Sequence, residues 1–426
     1  MGADQEALDV LIVGAGAAGL WCAEVAARGG RDVVVLEKVS RTGTKVLASG
    51  GTRCNLTTTL GPSEAARLFG TRGERFLRSG FRNLPPAEVR RRFEGWGVPT
   101  EEAPLEKVFP ASGNAKDVRD ALEAAARGAG ARIHLDSGAQ SIEREGALWV
   151  VRSADGEVRR AAALVLAVGG KSYPKTGTTG DGYAWLRDLK LELVPPVPAL
   201  VPLTSGEAWV HELTGIAWQG GEARVEDPAG RVLERRQRPL MFTHRGVSGP
   251  GAMDLSHHVA RGASEGAGFQ LRVDFFPGLD REDLRAQLVA SAGLPGAPRL
   301  QRALGSLTTG PMPRRLFDAV ATSAQLQGDI AVNGLDRRSR HALVEAMKGL
   351  PVPVDGTVGW DHAEVTAGGL ALREVNPRSM AVNQCPGLFV VGELLDLNGP
   401  IGGLSFQAAF ATAQLAGEAL SAAGRA

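Results

Sequence analysis

Cysteine is scarce in this chain: Cys22, Cys54 and Cys385 are the three among 426 residues. Three cannot all pair, and no CxxC occurs, which excludes a disulfide scaffold, a Cys-based zinc site and a redox dithiol, and points to a reducing, cytoplasmic setting. Long apolar runs are also missing. None reaches the ~18 residues needed to cross a bilayer. No leader is expected, because Asp4 and Glu6 precede a short apolar run, Val10 to Val13, that flows straight into glycines. Charge of one sign is not in excess either: 48 basic against 47 acidic residues leave a net charge of +1. That balance argues against a nucleic-acid coat protein or a polybasic membrane anchor and leaves room only for a local patch. The expected partner is a small-molecule substrate, with no nucleic acid and no membrane; the oligomeric state is not written in the sequence. With 43% hydrophobic and 22% charged residues the composition is that of a folded globular protein. The length suits two or three domains at ~150 residues each. Glycine is abundant, 56 residues, but without the triplet period of collagen.

What the chain does have begins at once. Asp9 to Val13 is a β-branched apolar run that reads as a buried parallel strand. Gly14-Ala-Gly16-Ala17-Ala18-Gly19 follows, then an Ala-rich helix from Leu20 to Ala27, stopped by Gly29 and Gly30. A second strand, Asp32 to Leu36, ends at Glu37. This strand–glycine loop–helix–strand order is the context in which G-x-G-x-x-G binds a dinucleotide. Gly14 allows the turn out of the strand, Gly16 lets a pyrophosphate approach the backbone, and Gly19 lets the helix lie close to the sheet. The helix N-terminus offers free N–H groups and a positive dipole end to the phosphates. Glu37, 18 residues past Gly19, can accept hydrogen bonds from an adenosine ribose and disfavours a 2′-phosphate there. The alternative is a glycine-rich turn without a ligand, and Cys22 in the helix reads as a small core residue.

Residues 41–59 form a Gly/Ser/Thr-rich loop carrying Lys45 and Arg53, suited to aiming N–H donors and positive charge at phosphates or a flavin ring. Its alternative is a flexible surface loop. Another strand, 163–170, ends in the pair Gly169-Gly170. Near the C-terminus, Leu388 to Val391 is a buried strand ending at Gly392-Glu393; Asp396, Gly399, Gly402 and Gly403 follow, then an Ala-rich helix from Gln407 to Leu420. A second strand–glycine–helix unit at the far end suits a cofactor longer than NAD. Asp396 would accept bonds from ribitol hydroxyls, and the last helix would aim its N-terminus at the flavin carbonyl edge.

Strand–GAGAAGL–helix–strand–Glu37, Ser49-Gly-Gly-Thr-Arg53-Cys-Asn55, Phe242-Thr-His-Arg-Gly-Val-Ser-Gly-Pro250, Val365-Thr-Ala-Gly-Gly369 and Gly392-Glu-Leu-Leu-Asp396 through Gly403 together resemble the BaiN-like family of bacterial NAD(P)/FAD-dependent oxidoreductases. The resemblance covers nearly the whole chain in unbroken motif order. It departs at Thr44, where the family has Arg, at Thr52, where it has Gly, and at Leu404, where it often has an aromatic. It implies FAD bound by Gly14, Gly16, Gly19, Glu37, Lys45, Ser49, Arg53, Asn55, Gly392, Glu393, Asp396 and Gly403. The neighbouring Ala17, Ala18, Lys38, Gly50, Cys54, Gly169 and Gly402 complete the expected cofactor-binding set. For the Cys54 side chain, packing or backbone positioning is favoured over a redox thiol.

The expected architecture is α/β: a discontinuous Rossmann-type FAD-binding domain, 1–195 plus 349–426, with a β-barrel-like insert at 196–278 and a helical insert at 279–348. Four prolines within Leu193 to Pro202 suggest an extended connector, and Lys348 to Asp355 suggests the return crossing. Arg90-Arg-Arg92 reads as a solvated helix face rather than a nucleic-acid patch. No second G-x-G-x-x-G follows a strand, so NAD(P)H, the expected reductant, would dock between the FAD domain and the insert. His244 and Tyr173 are the candidate proton donors for reduction of an unsaturated or carbonyl-conjugated small molecule. For His244 the alternative is a structural turn. His257-His258 are adjacent, which argues against a shared metal, and no metal is expected. A flavin-dependent RNA-modifying enzyme and a flavin-binding redox sensor without turnover are the other readings of the same residues.

Overall fold

Leu8–Val13 (β1) lies at the centre of a seven-stranded sheet, with Val33–Leu36 (β2) on one side and Val158–Leu166 (β6) on the other, both parallel to it. Arg132–His134 (β3) extends the parallel side beyond β2. Leu148–Ser153 (β5) and Ala139–Glu145 (β4) extend the other side antiparallel, on the first half of β6, while Leu388–Val390 (β7) runs parallel along its second half. All four residues of β2 and the last four of β1 are buried, as their uninterrupted Val/Ile/Leu composition requires of strands covered on both faces. The computed structural model describes residues 7–307 and 312–423.

Two helices cover this centre. Ala17–Arg28 (α1) buries ten of its twelve residues and Leu404–Ala422 (α7) thirteen of nineteen; both are apolar nearly all round, the mark of a helix packed on several sides. Their alanines permit a close approach: a Cβ on Gly417 would overlap the Val25 side chain at 2.6 Å. The two ends of the chain are thereby joined in one core, as Trp21 Nε1 donating to Gln414 Oε1 at 2.8 Å also shows. Between them in sequence lie Thr44–Ala48 (α2), Pro62–Arg67 (α3), Gly70–Asn83 (α4), Pro86–Gly95 (α5) and Ala115–Gly128 (α6).

The chain forms two units, Met1–Val197 with Glu364–Ala426, and Pro198–Ala363. The return crossing therefore lies at 363/364, not at 349. Leu350–Val352 pairs antiparallel with Gln270–Asp274, Leu271 opposite Val352, which holds the residues after 349 in the second unit. The proline-rich connector is itself a strand, Leu193–Ala199, paired with Val365–Leu370. Proline is tolerated in such a two-stranded ribbon because each strand keeps a free edge.

The second unit corrects two further expectations. Its strands form two open sheets rather than a closed barrel: Ala217–Trp218, Leu240–Thr243, Gly246–Ser248, Leu203–Thr204 and Gly356–Thr357 in one, Val232–Gln237, Glu222–Glu226, Gln270–Asp274 and Leu350–Val352 in the other. Its helices, including Arg281–Ala292 and Arg337–Gly349, do not make a separate domain. Leu284, Leu316, Phe317 and Leu343 share one hydrophobic cluster with the strand residues Val225, Phe242 and Val273.

Candidate functional site

The glycine loop lies between β1 and α1, and its three glycines have different physical reasons. Gly14 has φ 103°, and a Cβ there would sit 2.5 Å from the Ala167 carbonyl oxygen. At Gly19 a Cβ would overlap the Gly14 carbonyl oxygen at 1.8 Å. Gly16 is unlike either: its φ is −81°, open to any residue, and a Cβ would meet no atom within 4 Å. Nothing in the protein demands glycine at 16; the surface there is open. The N-terminal amides of α1, with Gly16 at the cap and Ala17 and Ala18 in the first turn, border that opening.

Glu37 closes one side. Its Oε2 accepts from the Ala15 amide at 2.8 Å and its Oε1 from the Val39 amide at 3.2 Å, so each oxygen keeps a lone pair for a further donor. Burial raises its carboxyl above the ordinary value, against these amides and Lys38, which favour the charged form. Lys38 itself is not directed at this opening, since its Nζ bonds Thr179 Oγ1 and Asp181 Oδ2, both at 2.6 Å.

The Gly/Ser/Thr loop is tied down rather than flexible. Asn55 Oδ1 accepts from the Val108 amide at 3.1 Å, the Ser49 hydroxyl donates to the Val46 carbonyl at 2.7 Å, and Arg53 lies over the Phe109 ring at 4.5 Å. Gly50 has φ 55°, and Cys54, at φ 59°, turns its thiol into the core, where burial pushes it up to about 12. Only the backbone of Cys54 can face a ligand, and the same burial keeps the Cys22 thiol inert.

At the far end Gly392, φ 72°, places its Cα so that a Cβ would touch the Ala18 side chain at 3.0 Å, and its amide donates to Thr412 Oγ1 at 3.1 Å. The two glycine segments therefore adjoin. Asp396 donates its amide to Leu370 at 3.0 Å and leaves its side chain half-buried. Gly403, φ 79°, caps α7, and a Cβ there would strike the Thr57 carbonyl oxygen at 2.0 Å; Gly402 precedes it at φ 147°. Between Asp396 and Gly402, Asn398 Oδ1 is buried with no hydrogen-bond partner among the described residues, an acceptor awaiting a donor. In the sequence, Asn398 has no signal beyond its place between Asp396 and Gly399.

Lys45 and Glu393, 348 residues apart, form an ion pair of 2.6 Å. Lys45 also bonds Ser172 Oγ at 2.6 Å, while Glu393 Oε1 accepts from Ser172 Oγ and the Thr366 amide, both at 2.9 Å. Thr366 Oγ1 in turn accepts from the amides of Lys171 and Ser172, which follow Gly169 and Gly170. Ser172 and the adjoining buried Tyr183, its phenol pushed up by burial and then by the nearby Glu393 charge, carry no motif that sequence could reveal, and the Val365–Gly369 motif gives no sign of this role for its Thr366. The pair is partly shielded, at 27% and 19% side-chain exposure, so losing the cation strands a carboxylate among neutral donors. Lys45→Met is expected to cost about 2 kcal/mol, less than a fully buried pair would, and adding Glu393→Gln should recover most of it; urea unfolding of both variants is the check.

Tyr173 stands on the turn after Gly169-Gly170, 40% exposed with φ 56°. His244 belongs to the second unit, exposed in the turn between Leu240–Thr243 and Gly246–Ser248. There Thr243 Oγ1, not the histidine, accepts from the Arg245 amide at 3.3 Å. His257 and His258 do converge, against the argument from adjacency. At the start of the helix Ser256–Glu265 their rings lie 4.1 Å apart, and both reach Glu234 Oε2, at 3.6 and 2.9 Å. Arg236 occupies the other oxygen of Glu234. Burial, then the charge of His258, pushes His257 down to about 3.

Comparison with known proteins extends this picture to the whole chain. Residues 8–419 match the family described as HI0933-like protein Rossmann domain. A 3-dehydro-bile acid delta(4,6)-reductase of Clostridium scindens is 31% identical over 96% of this chain and 98% of its own. A ribosomal RNA dihydrouridine synthase of Escherichia coli is 28% identical over 98% of this chain and 99% of its own. Among solved structures, a 3-ketosteroid-delta4-(5alpha)-dehydrogenase from Rhodococcus jostii RHA1 shares the fold, with TM-score 0.51, 17% identity and 98% of each chain covered. The open glycine loop, the joined chain ends and the full-length match agree: this chain belongs to the HI0933-like Rossmann family of FAD-binding oxidoreductases.

Proposed function

We propose that this protein uses FAD, reduced by NADH or NADPH, to saturate a ring carbon–carbon double bond conjugated with a carbonyl. The observation that carries the proposal is what the full-length relatives have in common: a delta(4,6)-reductase of a 3-oxo steroid and a dihydrouridine synthase both add hydrogen across such a bond. A small enone is the first substrate class. Uracil within RNA is the second, favoured by two ribosomal RNA dihydrouridine synthases, of Escherichia coli and Haemophilus influenzae, each 28% identical over nearly the whole chain.

The residues present suit FAD. The opening above Gly16 and the α1 amides would take the pyrophosphate, and the remaining lone pairs of Glu37 would accept ribose hydroxyls. Asp396 would hold the ribitol, and the orphaned Asn398 Oδ1 would accept a flavin or ribityl donor. The N-terminus of α7, fixed by Gly403, would present its positive end to the ring. Lys45 and Glu393, already paired, would serve by holding α2, the Ser172 turn and Val365–Leu370 in register beneath it. Bound FAD supplies hydride transfer at its N5. Tyr173 and His244 are the proposed sources of the proton that completes saturation.

Purified protein is expected to show flavin absorption bands, bleached anaerobically by NADH or NADPH and restored by a 3-oxo-delta(4,6) steroid or by uridine-containing RNA. In the variant lacking the true proton donor, Tyr173→Phe or His244→Asn, bleaching should persist while restoration slows at least tenfold. Colourless protein that cannot be reconstituted with FAD would overturn the reading.

A further inference from the structure

The conspicuous arginine run, Arg90 to Arg92, is chemically spent. Arg90 pairs with Glu102, Arg91 with Glu88 and Arg92 with Glu24. The free cations lie just before it, on α3 and α4. Residues 62–83 hold five arginines against two glutamates, a net +3 in a chain whose total is +1. α4 buries Gly73, Phe76, Leu77, Gly80 and Phe81 on one side. Arg72, Arg75, Arg78 and Arg82 fall within about a third of the circumference on the opposite side, all exposed, and Arg67 at the end of α3 is exposed as well. Arg78 pairs with Glu74 at 3.5 Å; Arg67, Arg72, Arg75 and Arg82 have no carboxylate partner among the described residues.

The row has a direction. Gly73 on α4 adjoins the Leu397 side chain, and Phe69, immediately before α4, packs its ring where a Cβ on Gly399 would lie, at 2.8 Å. The arginine helix is thus anchored to the Asp396–Gly403 segment, the one assigned above to the flavin end. Arg72 to Arg82 spans about 15 Å, the length of duplex axis over which one nucleic-acid strand presents about four phosphates.

We propose that the exposed arginine row of α3 and α4 docks the phosphate backbone of a folded RNA and so delivers an unstacked uracil to the flavin end of the same unit. This rests on the reading of the site as a double-bond reductase and selects its second substrate class. Guanidinium groups without internal partners suit phosphate oxygens, and release of counterions from the RNA would drive the contact. A small steroid with a single carboxylate could use at most one of four separated cations. The near-neutral total charge, which argues against a general nucleic-acid coat, is compatible with one patch this size.

The test compares wild type, a quadruple variant R67Q/R72Q/R75Q/R82Q and its Arg→Lys counterpart at the same positions. The probe is ribosomal RNA transcribed in vitro and therefore unmodified. Filter binding against salt, dihydrouridine content after incubation with NADPH, and NADPH oxidation with menadione are the three readouts. The expected result is that the Gln variant keeps flavin and menadione turnover but loses at least tenfold in RNA affinity and dihydrouridine yield. Its log–log salt slope should flatten by about 3, while the Lys variant stays near wild type. If wild type and Gln variant modify RNA equally, the docking face is overturned and the reductase reading stands. If wild type reduces a 3-oxo-delta(4,6) steroid but leaves RNA untouched, the RNA substrate falls and the docking proposal with it. If neither substrate is reduced, the reductase reading itself is overturned.

Discussion

Gly19→Ala is expected to destabilise the first unit by about 3 kcal/mol, whereas Gly16→Ala, three residues earlier, should change stability by less than about 1 kcal/mol and still empty the site of flavin. At Gly19 the new methyl would land 1.8 Å from the Gly14 carbonyl oxygen, which is backbone and cannot swing aside. α1 would have to lift from β1, taking with it the seam against α7. At Gly16 the same methyl meets nothing of the protein, and the backbone there already suits alanine. In the site proposed above, the methyl would displace the pyrophosphate assigned to the loop. Urea unfolding of the apoproteins and the flavin-to-protein ratio of the purified variants separate the two effects, with at least a tenfold loss of bound flavin expected for Gly16→Ala. Full flavin occupancy in Gly16→Ala would remove the loop from the cofactor site, whatever Gly19→Ala does to the fold.

The same pair shows what could be read from sequence. The βαβ unit was legible because its signals are local: a β-branched run, glycines at fixed offsets and an Ala-rich stretch map directly to β1, α1 and β2. The helical character of 279–348 was legible for the same reason, and Arg281–Ala292 and Arg337–Gly349 are two of its helices. What sequence could not show depends on partners far away along the chain. Lys45 and Glu393 were each expected at a cofactor; that they hold one another, with Ser172 and Thr366, is a tertiary fact. The prolines of Leu193–Ala199 masked a strand, since a short ribbon tolerates what a central strand cannot. His257 and His258 were judged by ideal alternation, but at a helix start neighbouring side chains can bend toward one acceptor, here Glu234. The arginine run is a solvated face only in part, since Arg92 is 13% exposed and lies over the Trp21 ring. Three in a row draw the eye, yet these are paired, and the unpaired ones are spread at helical spacing along α4.

Trp21→Ala should cost 3–5 kcal/mol and lower the melting temperature of the first unit by about 10 °C, and the loss should fall on flavin binding as well. Trp21 is fully buried on α1 against Phe93, Trp96 and Phe410, with the Arg92 guanidinium 4.4 Å from its ring. Its removal leaves a cavity where the first and last helices meet, and α5 loses its seat on both. Gln414 would not be orphaned, because its Oε1 also accepts from Arg92 Nη1 at 2.8 Å, so the cost is one of packing rather than of an unmet polar group. Gly14–Gly19 hangs from the start of α1 and Gly403 from the start of α7, so slack between these helices would move the proposed adenosine and flavin ends of the site relative to each other. Trp21→Phe, which refills most of the volume and gives up only the N–H to Gln414, is expected to recover more than half of both losses. Differential scanning calorimetry with and without added FAD measures the two effects together. A Trp21→Ala protein that melts normally, or that melts early yet binds FAD with unchanged affinity, would mean that the two chain ends do not enclose the cofactor jointly.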